Sequence, residues 1–313
     1  MNTNRSEPVA ILLAAYNGGE YLAEQLDSIL RQTFQSFTVY IHDDGSVDDT
    51  LFIINDYAKK YPHKIKVLKY PSSGGAAKNF FSMIQRVDSE YVMFSDQDDV
   101  WFADKIEKTY RCMKAAEKKN QDHCICVHSD LKIVDRNLNT IYNSFYNRNR
   151  KYAHKNSFPE LLMTNICVGC TMMINRKLLI AARKYNDVNN IFMHDWWIAL
   201  IASSEGEIVF IDEALTAYRQ HDNNAVGAKL GQISIFSKIA RFCDYVGYKK
   251  EHLQKQRKIA KELSGNTFLS DESRIFLRDL SVIDEQNKIR RILFYGKNGI
   301  LLDGNIVLEL ICV

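Results

Sequence analysis

The sequence predicts an α/β fold with a central, mostly parallel sheet, followed by a helical C-terminal region. Three observations predict it. In the first hundred residues, short β-rich apolar runs alternate with segments whose apolar residues repeat at three and four, the β-α-β-α-β-α-β order of a parallel sheet covered by helices. The first run, Val9 to Ala15, is apolar without alternation, as a strand buried on both faces requires. Each of the first four runs is also followed by a polar cluster, in turn AAYNGG, HDDGS, PSSGG and SDQDD.

The elements follow in order. After the turn at Asn17-Gly18-Gly19, Tyr21, Leu22, Gln25, Leu26, Ile29 and Leu30 mark a helix. Phe37 to His42 is the second strand, stopped by Asp43-Asp44-Gly45-Ser46. Ser46 or Asp48 can cap the next helix, which carries Leu51, Ile54, Tyr57 and Ala58 on one side. Ile65 to Leu68 is the third strand, PSSGGAAKNF leads into a helix through Met83 and Ile84, and Tyr91 to Ser95 is the fourth strand. Beyond Trp101 a helix over about 104–119 and a strand Ile125 to Ser129 precede an Asn/Arg/Tyr-rich stretch, 142–156, that reads as a loop. A short helix near Pro159, a strand Gly169 to Ile174, a helix opened by MHDWWIALIAS, and strands Glu207 to Ile211 and Leu215 to Tyr218 come next. From about Gly231 the chain turns helical and basic, with Lys249, Lys250, Lys255, Arg257, Lys258 and Lys261 beside an apolar stripe of Ile239, Phe242, Val246 and Leu253. Lys288, Arg290 and Arg291 then precede ILFYG, and the last residues are the apolar NIVLELICV.

Bulk properties narrow the function. With 46% hydrophobic and 25% charged residues among 313, a sizeable core is expected. A net charge of +3 is too small for a nucleic-acid binder, so no nucleic-acid partner is expected. No apolar run reaches the ~18–20 residues that span a bilayer. MNTNRSEPVAILL lacks signal-peptide architecture, and seven cysteines, an odd number, fit a reducing compartment, so a cytoplasmic protein is expected. Cys167 and Cys170 have C-x-x-C spacing, and Cys124 and Cys126 lie near His123 and His128. A structural zinc site needs two such knuckles, and these cysteines read as buried thiols.

Chemistry concentrates after the strands. Ligands of open α/β sheets bind outside the carboxyl ends of the strands, so the four polar clusters share one rim. Asp96, Asp98 and Asp99 crowd into four positions, where like charges raise one another's pKa. Asp96-Gln97-Asp98 has the D-x-D form that suits Mg²⁺ or Mn²⁺ completed by substrate phosphates. Asp43 and Asp44 can accept hydrogen bonds from a ribose or a base N–H, or cap a helix. No G-x-G-x-x-G follows the first strand and no G-x-x-x-x-G-K-[ST] occurs, which argues against dehydrogenase and P-loop chemistry. In His194-Asp195-Trp196-Trp197, Asp195 is an N-cap or a base beside sugar-stacking indoles. His221, in YRQHDNN, is a metal or phosphate ligand or a lone surface histidine.

AAYNGGEYL, HDDGSVDDT, FSDQDDVW and MHDWW, in this order, resemble glycosyltransferase family 2, inverting enzymes with the GT-A type nucleotide-diphospho-sugar transferase fold. YRQHDNNAVG and DQDDVW resemble a bacterial rhamnosyltransferase branch that builds cell-surface polysaccharide. The resemblance covers about residues 8 to 227. It implies a catalytic domain at 1–227, with a nucleotide-binding half at 1–100 and an acceptor half at 101–227, ahead of a helical basic region at 228–313. It further implies that Ala15, Tyr16 and Asn17 line the base pocket, that Asp44 or Asp43 binds the nucleoside, and that the loop carrying Gly75, Lys78 and Asn79 lies against the nucleotide. Asp96 would meet the ribose, Asp98 and His221 the Mn²⁺ or Mg²⁺, and Asp195 would be the general base. His194 departs from the acidic residue that often precedes this base. The expected donor is a nucleotide sugar, with dTDP-rhamnose ahead of a UDP-sugar, and the expected acceptor a saccharide or lipid-linked saccharide. The basic tail would touch the inner face of the cell membrane or a second copy of the chain. A sugar nucleotidyltransferase and a non-catalytic carbohydrate-binding homologue are the rivals. The first lacks its Arg-bearing loop, and the second would be expected to have lost Asp98 or Asp195, which both stand.

Overall fold

The structure is a computed structural model that describes residues 9–146, 152–184, 193–221 and 238–300, with the backbone alone for 152 and 238–250. The N-terminal half alternates as the sequence predicts: β1 (Val9–Ala15), α1 (Leu22–Leu30), β2 (Phe37–Asp43), α2 (Thr50–Lys60), β3 (Ile65–Val67), α3 (Ala76–Arg86) and β4 (Tyr91–Ser95). Then come β5 (Val100–Trp101), α4 (Lys105–Lys119), β6 (Cys124–Val134), β7 (Thr140–Tyr142), α5 (Phe158–Met163), β8 (Met172–Asn175), α6 (Arg176–Arg183), α7 (His194–Glu205) and β9 (Gly206–Arg219). Three helices follow: α8 (Lys238–Leu263), α9 (Asp271–Ser281) and α10 (Lys288–Lys297).

Among the described residues the strands form one sheet in the order β3-β2-β1-β4-β8-β6-β9-β5, with β7 paired to β6. β1 to β4 run parallel, β8 is antiparallel to both β4 and β6, and β6 and β9 run parallel again. The strands of the active rim therefore finish side by side. Val9, Ile11 and Leu13 are fully buried with Leu22, Leu26 and Ile29 of α1 and with Val39, Ile41 and Met93 of the flanking strands. At roughly 1.5–3 kcal/mol for each such side chain, this burial is what fixes the sheet.

Two sequence expectations are corrected, one helix is added, and the predicted loop is seen at its start. Glu207–Ile211 and Leu215–Tyr218 are one strand, because the exposed Asp212-Glu213 are absorbed where the pairing of β9 with β6 shifts register. Gly169–Thr171 is a 3₁₀ turn before β8, bent because Gly169 is held elsewhere, as described below. α6 was not anticipated; Asn175 caps it by accepting from Leu178 N. The 142–156 stretch is anchored at its start, where Phe145 N donates to the Leu131 carbonyl and the Tyr146 hydroxyl to the Ile166 carbonyl.

The chain divides into two compact units, 1–154 with 166–227, and 155–165 with 228–313. In the second, α5 packs against α8 and α9, and the His252 imidazole lies 2.6 Å from the Met163 carbonyl oxygen. Its core holds Leu253, Ile259, Leu263, Phe276, Leu277, Leu280 and Tyr295. Of the expected apolar stripe only Leu253 falls among the described side chains; Ile239, Phe242, Val246, Lys249 and Lys250 lie outside them, as does the NIVLELICV terminus. Arg257 is not on a solvated basic face: its guanidinium donates to Asp284 at 2.6 Å and to the Tyr295 hydroxyl. No helix among the described residues is long and apolar enough to cross a membrane.

Candidate active site

The four turns after β1 to β4 are tied together by side chain to backbone bonds. Asp44 N donates to the Ala15 carbonyl, and Asn17 N to Ser46 Oγ at 2.8 Å, while Asn17 Oδ1 accepts from Val47 N. Asn17 adopts φ 47°, a left-handed conformation that asparagine tolerates, to make this turn. Gln97, the middle residue of D-x-D, pairs with the backbone of Tyr16, accepting from its N–H and donating to its carbonyl, both at 2.8 Å. That pairing requires glycine at position 18, where a Cβ would lie 2.1 Å from Gln97 Oε1. The Tyr16 ring, 57% exposed, is left facing solvent as a platform.

Asp44 is buried inside the 72–75 loop. Its carboxylate accepts from Ser72 Oγ at 3.0 Å, from Ser73 N, and from Gly75 N at 2.7 Å. Burial pushes its pKa up, but these donors outweigh it and hold the group below the ordinary carboxylate value. Gly74 and Gly75 have φ of 81° and 119°, so the loop can wrap the carboxylate only with glycine there. Asp43 accepts from Ser46 N at 2.9 Å and from Gly45 N, closing its own turn. Asn79 is framework: it is 1% exposed, its Oδ1 lies 2.8 Å from His42 Nδ1, and its Nδ2 donates to the His42 carbonyl. His42 in turn stacks on Tyr70 with centroids 3.6 Å apart. Lys78 is exposed in the first turn of α3.

The acidic cluster divides by depth. Asp99 is fully buried, its carboxyl pushed well up by desolvation and by Asp98 and Asp96. Asp96, partly exposed, is raised to about 7 by desolvation, then by Asp98 and Asp195. Asp98 Oδ2 lies 2.8 Å from His221 Nε2, and that imidazole stacks on Tyr21 with centroids 5.1 Å apart. Arg219, two residues earlier, secures this corner from beneath: its N donates to Asp99 Oδ1, its Nε to the Asp98 carbonyl at 2.8 Å, and its guanidinium to Glu24. Residues 222–227, the rest of the YRQHDNNAVG motif, lie outside the described residues.

Asp195 opens α7 without capping it, since its Oδ2 accepts instead from Gly169 N at 3.0 Å and its Oδ1 from Trp196 N. Gly169 leaves room for the histidine, because a Cβ there would lie 2.8 Å from His194 Nε2 and would have to displace that buried ring. Desolvation raises Asp195 to about 6, against the pull of those two N–H donors. His194 lies between Phe80 and Phe94, with centroids at 4.1 and 5.1 Å, and burial lowers its pKa to about 3. It is therefore neutral and places no charge beside Asp195. With no acid at position 194, no like charge from that neighbour adds to the burial that raises the carboxylate against its N–H donors. Trp197 is buried and Trp196 partly so, which makes Trp196 the indole nearer solvent.

Residues 10–182, more than half of the chain, match Glycosyl transferase family 2. The chain belongs to this family. A dTDP-rhamnosyl transferase, RfbG, of Shigella flexneri is 30% identical over 83% of this chain and 87% of its own length. An uncharacterized glycosyltransferase of Rickettsia typhi is 26% identical over 89% of this chain and 83% of its own. Among solved structures, the mannosyltransferase PcManGT of Pyrobaculum calidifontis, in complex with GDP-Man and Mn²⁺, superposes with a TM-score of 0.55 at 14% identity, over 96% of this chain and 78% of that one. TarS 1–349 of S. aureus, in complex with UDP-GlcNAc, gives 0.54 at 18% identity, over 97% and 78%. The family 2 glycosyltransferase described here thus has the GT-A type fold, mixed α/β with a mostly parallel sheet and a helical C-terminal region.

Four residues around this candidate site are given no task by the sequence reading. Gln97, Gly169, Arg219 and Lys105 each act through a partner distant in sequence, which periodicity does not reveal. Lys105 alone left a signal. It falls in register with Thr109, Met113 and Ala116 on the buried stripe of α4, where a cation is out of place.

Proposed function

We propose that this chain is an inverting glycosyltransferase that moves a sugar, with rhamnose from dTDP-rhamnose as the best candidate, from a nucleotide-sugar donor to a saccharide or lipid-linked saccharide in cell-surface polysaccharide synthesis. The observation that carries the reading is the arrangement around Asp96. Asp96 feels the charge of both Asp98, which is paired with His221, and Asp195. The donor sugar similarity comes from the Shigella relative, whose name gives dTDP-rhamnose chemistry to that protein.

Each side chain then has a task. The Tyr16 ring and the Ala15–Asn17 turn receive the base, and Asp44 holds the 72–75 loop, with Gly75, against the nucleoside. Asp43 shapes the neighbouring turn, and Lys78 supplies positive charge near the phosphates. Asp96 accepts from the ribose. Asp98 and His221, an oxygen and a nitrogen donor meeting at 2.8 Å, suit a hard divalent cation, Mn²⁺ or Mg²⁺, better than the buried Asp99 does. Such an ion would neutralise charge on the diphosphate. Asp195 takes the proton from the acceptor hydroxyl as that oxygen attacks the anomeric carbon. The bond from that carbon to the phosphate oxygen breaks with its electron pair going to the diphosphate, and a single displacement inverts the centre. A carboxylate held near 6 by burial is a stronger base than an ordinary one while staying ionised at neutral pH.

A thermal-shift panel of nucleoside diphosphates and nucleotide sugars with Mn²⁺ tests the donor, since a ligand of the folded state raises stability by RT ln(1 + [L]/Kd). dTDP and dTDP-rhamnose are expected to give the largest shifts, followed by transfer of labelled rhamnose. A larger shift with UDP-sugars would reassign the donor, and no shift with any nucleotide would favour the non-catalytic reading.

A further inference from the structure

Lys105 stands in the first turn of α4 and is fully buried. Nothing about that place favours a cation. Desolvating an ammonium is costly, and the helix N-terminus already presents the positive end of its dipole. Desolvation accordingly lowers its pKa to about 8, opposed by Cys170, Asp99 and Asp96. What holds the charge there is a set of directed contacts. The ammonium donates to Thr216 Oγ1 at 2.5 Å and to the Cys170 carbonyl, and it lies 3.9 Å from the centroid of the Trp101 ring.

Those contacts lead to two parts of the proposed site, the Asp195 seat and the Asp98–His221 corner. Cys170 belongs to the Gly169–Thr171 turn, whose Gly169 N–H holds Asp195. Thr216 lies on β9, directly opposite Trp101 of β5, three residues before Arg219 and five before His221. The positive charge itself acts on Asp96 and Asp99. Those two carboxylates and the Cys170 thiol bring ligand atoms within 4.8 Å of one another. With an ammonium beside it, that group is balanced from inside the protein and has no need of an ion, which leaves the partly buried Asp98 and His221 as the proposed metal pair.

We infer that Lys105 is a positioning residue for transfer: an internal counter-charge to Asp96 and Asp99 whose bonds to Cys170 and Thr216 hold the Asp195 seat in register with the Asp98–His221 corner. This inference rests on the proposed transferase reading. It predicts a specific kinetic pattern, because displacing a base by about 1 Å costs on the order of 10²-fold in rate without touching donor contacts.

The test compares Lys105→Met, which keeps the length and removes the charge, with Lys105→Arg and with Thr216→Val, which removes one anchor alone. Lys105→Met is expected to lower kcat about 10²-fold with donor KM changed less than about 3-fold, and Lys105→Arg to recover at least about 10-fold of the loss. Thr216→Val is expected to lower kcat about 5-fold at constant KM, and it carries the test where Lys105→Met does not fold. Amide hydrogen exchange over residues 166–175, which needs no activity, is expected to accelerate in the Gly169–Thr171 turn and stay slow in β8. Inactive wild-type protein would sink the transferase reading while the exchange result stood. Unchanged kcat in Lys105→Met would overturn the inference, as would unchanged kcat in Thr216→Val, or loss of kcat with exchange in the turn unaltered.

Discussion

At Asp195 two opposing influences act on one carboxylate. Burial beside the neutral His194 outweighs two N–H donors and raises it to about 6. As a base it must be ionised, so kcat is expected to rise with pH through about 6 and then level. His194, near 3, cannot supply that limb. A pH–rate profile without an acidic limb near 6 would take the role from Asp195. Asp195→Asn should bind donor normally yet lose about 10²–10⁴-fold in transfer. The same pKa fixes a stability effect. A carboxyl raised in the folded state contributes stability at low pH and loses it as pH rises through about 6, so Asp195→Asn is expected to melt higher than wild type at pH 8. At the other end of the site, Asp98→Asn is expected to weaken Mn²⁺ binding at least about 10-fold by calorimetric titration while the fold persists, since one carboxylate of a crowded set is neutralised. Unchanged Mn²⁺ affinity would move the metal away from Asp98 and His221.

At the scale of elements, the turns are fastened to one another more than to the strands they end. Gly18→Ala is expected to eject Gln97 from its two bonds with Tyr16, costing about 1–3 kcal/mol of stability and loosening donor binding. Equal melting temperatures for wild type, Gly18→Ala and Gln97→Ala would show that the clamp contributes nothing. Much of this scaffold was legible beforehand. The apolar run of β1 and the spacing of α1 and α3 are local signals, and all four elements of the rim fell where periodicity put them. The failures share one cause. The Gly169 turn and the uninterrupted β9 are each decided by a partner far along the chain: Asp195 and β6. A strand pattern cannot report that an N–H is already claimed by a carboxylate twenty-six positions away.

At the scale of the whole molecule, the proposal of a membrane contact acquires particular residues. α10 carries Lys288, Arg290, Arg291 and Lys297 and no acid, and exposes Ile289 and Leu293 one turn apart. Basic residues near an anionic leaflet gain about 1 kcal/mol each. Flotation with phosphatidylglycerol vesicles is expected to fall at least about 5-fold in the full chain bearing Ile289→Ser, Leu293→Ser and Arg290→Glu together, and equal flotation would dismiss the surface. Substitution is the better design than truncation at 227, for a reason set by chain connectivity. The second unit is discontinuous: α5, with buried Phe158, Leu161, Leu162 and Met163, packs against α8 and α9. During synthesis that short apolar helix leaves the ribosome long before α9 exists. At about 5–20 residues per second it waits on the order of ten seconds uncovered. Nascent chains stalled between α5 and α9 are therefore the forms in which this protein should most need a chaperone.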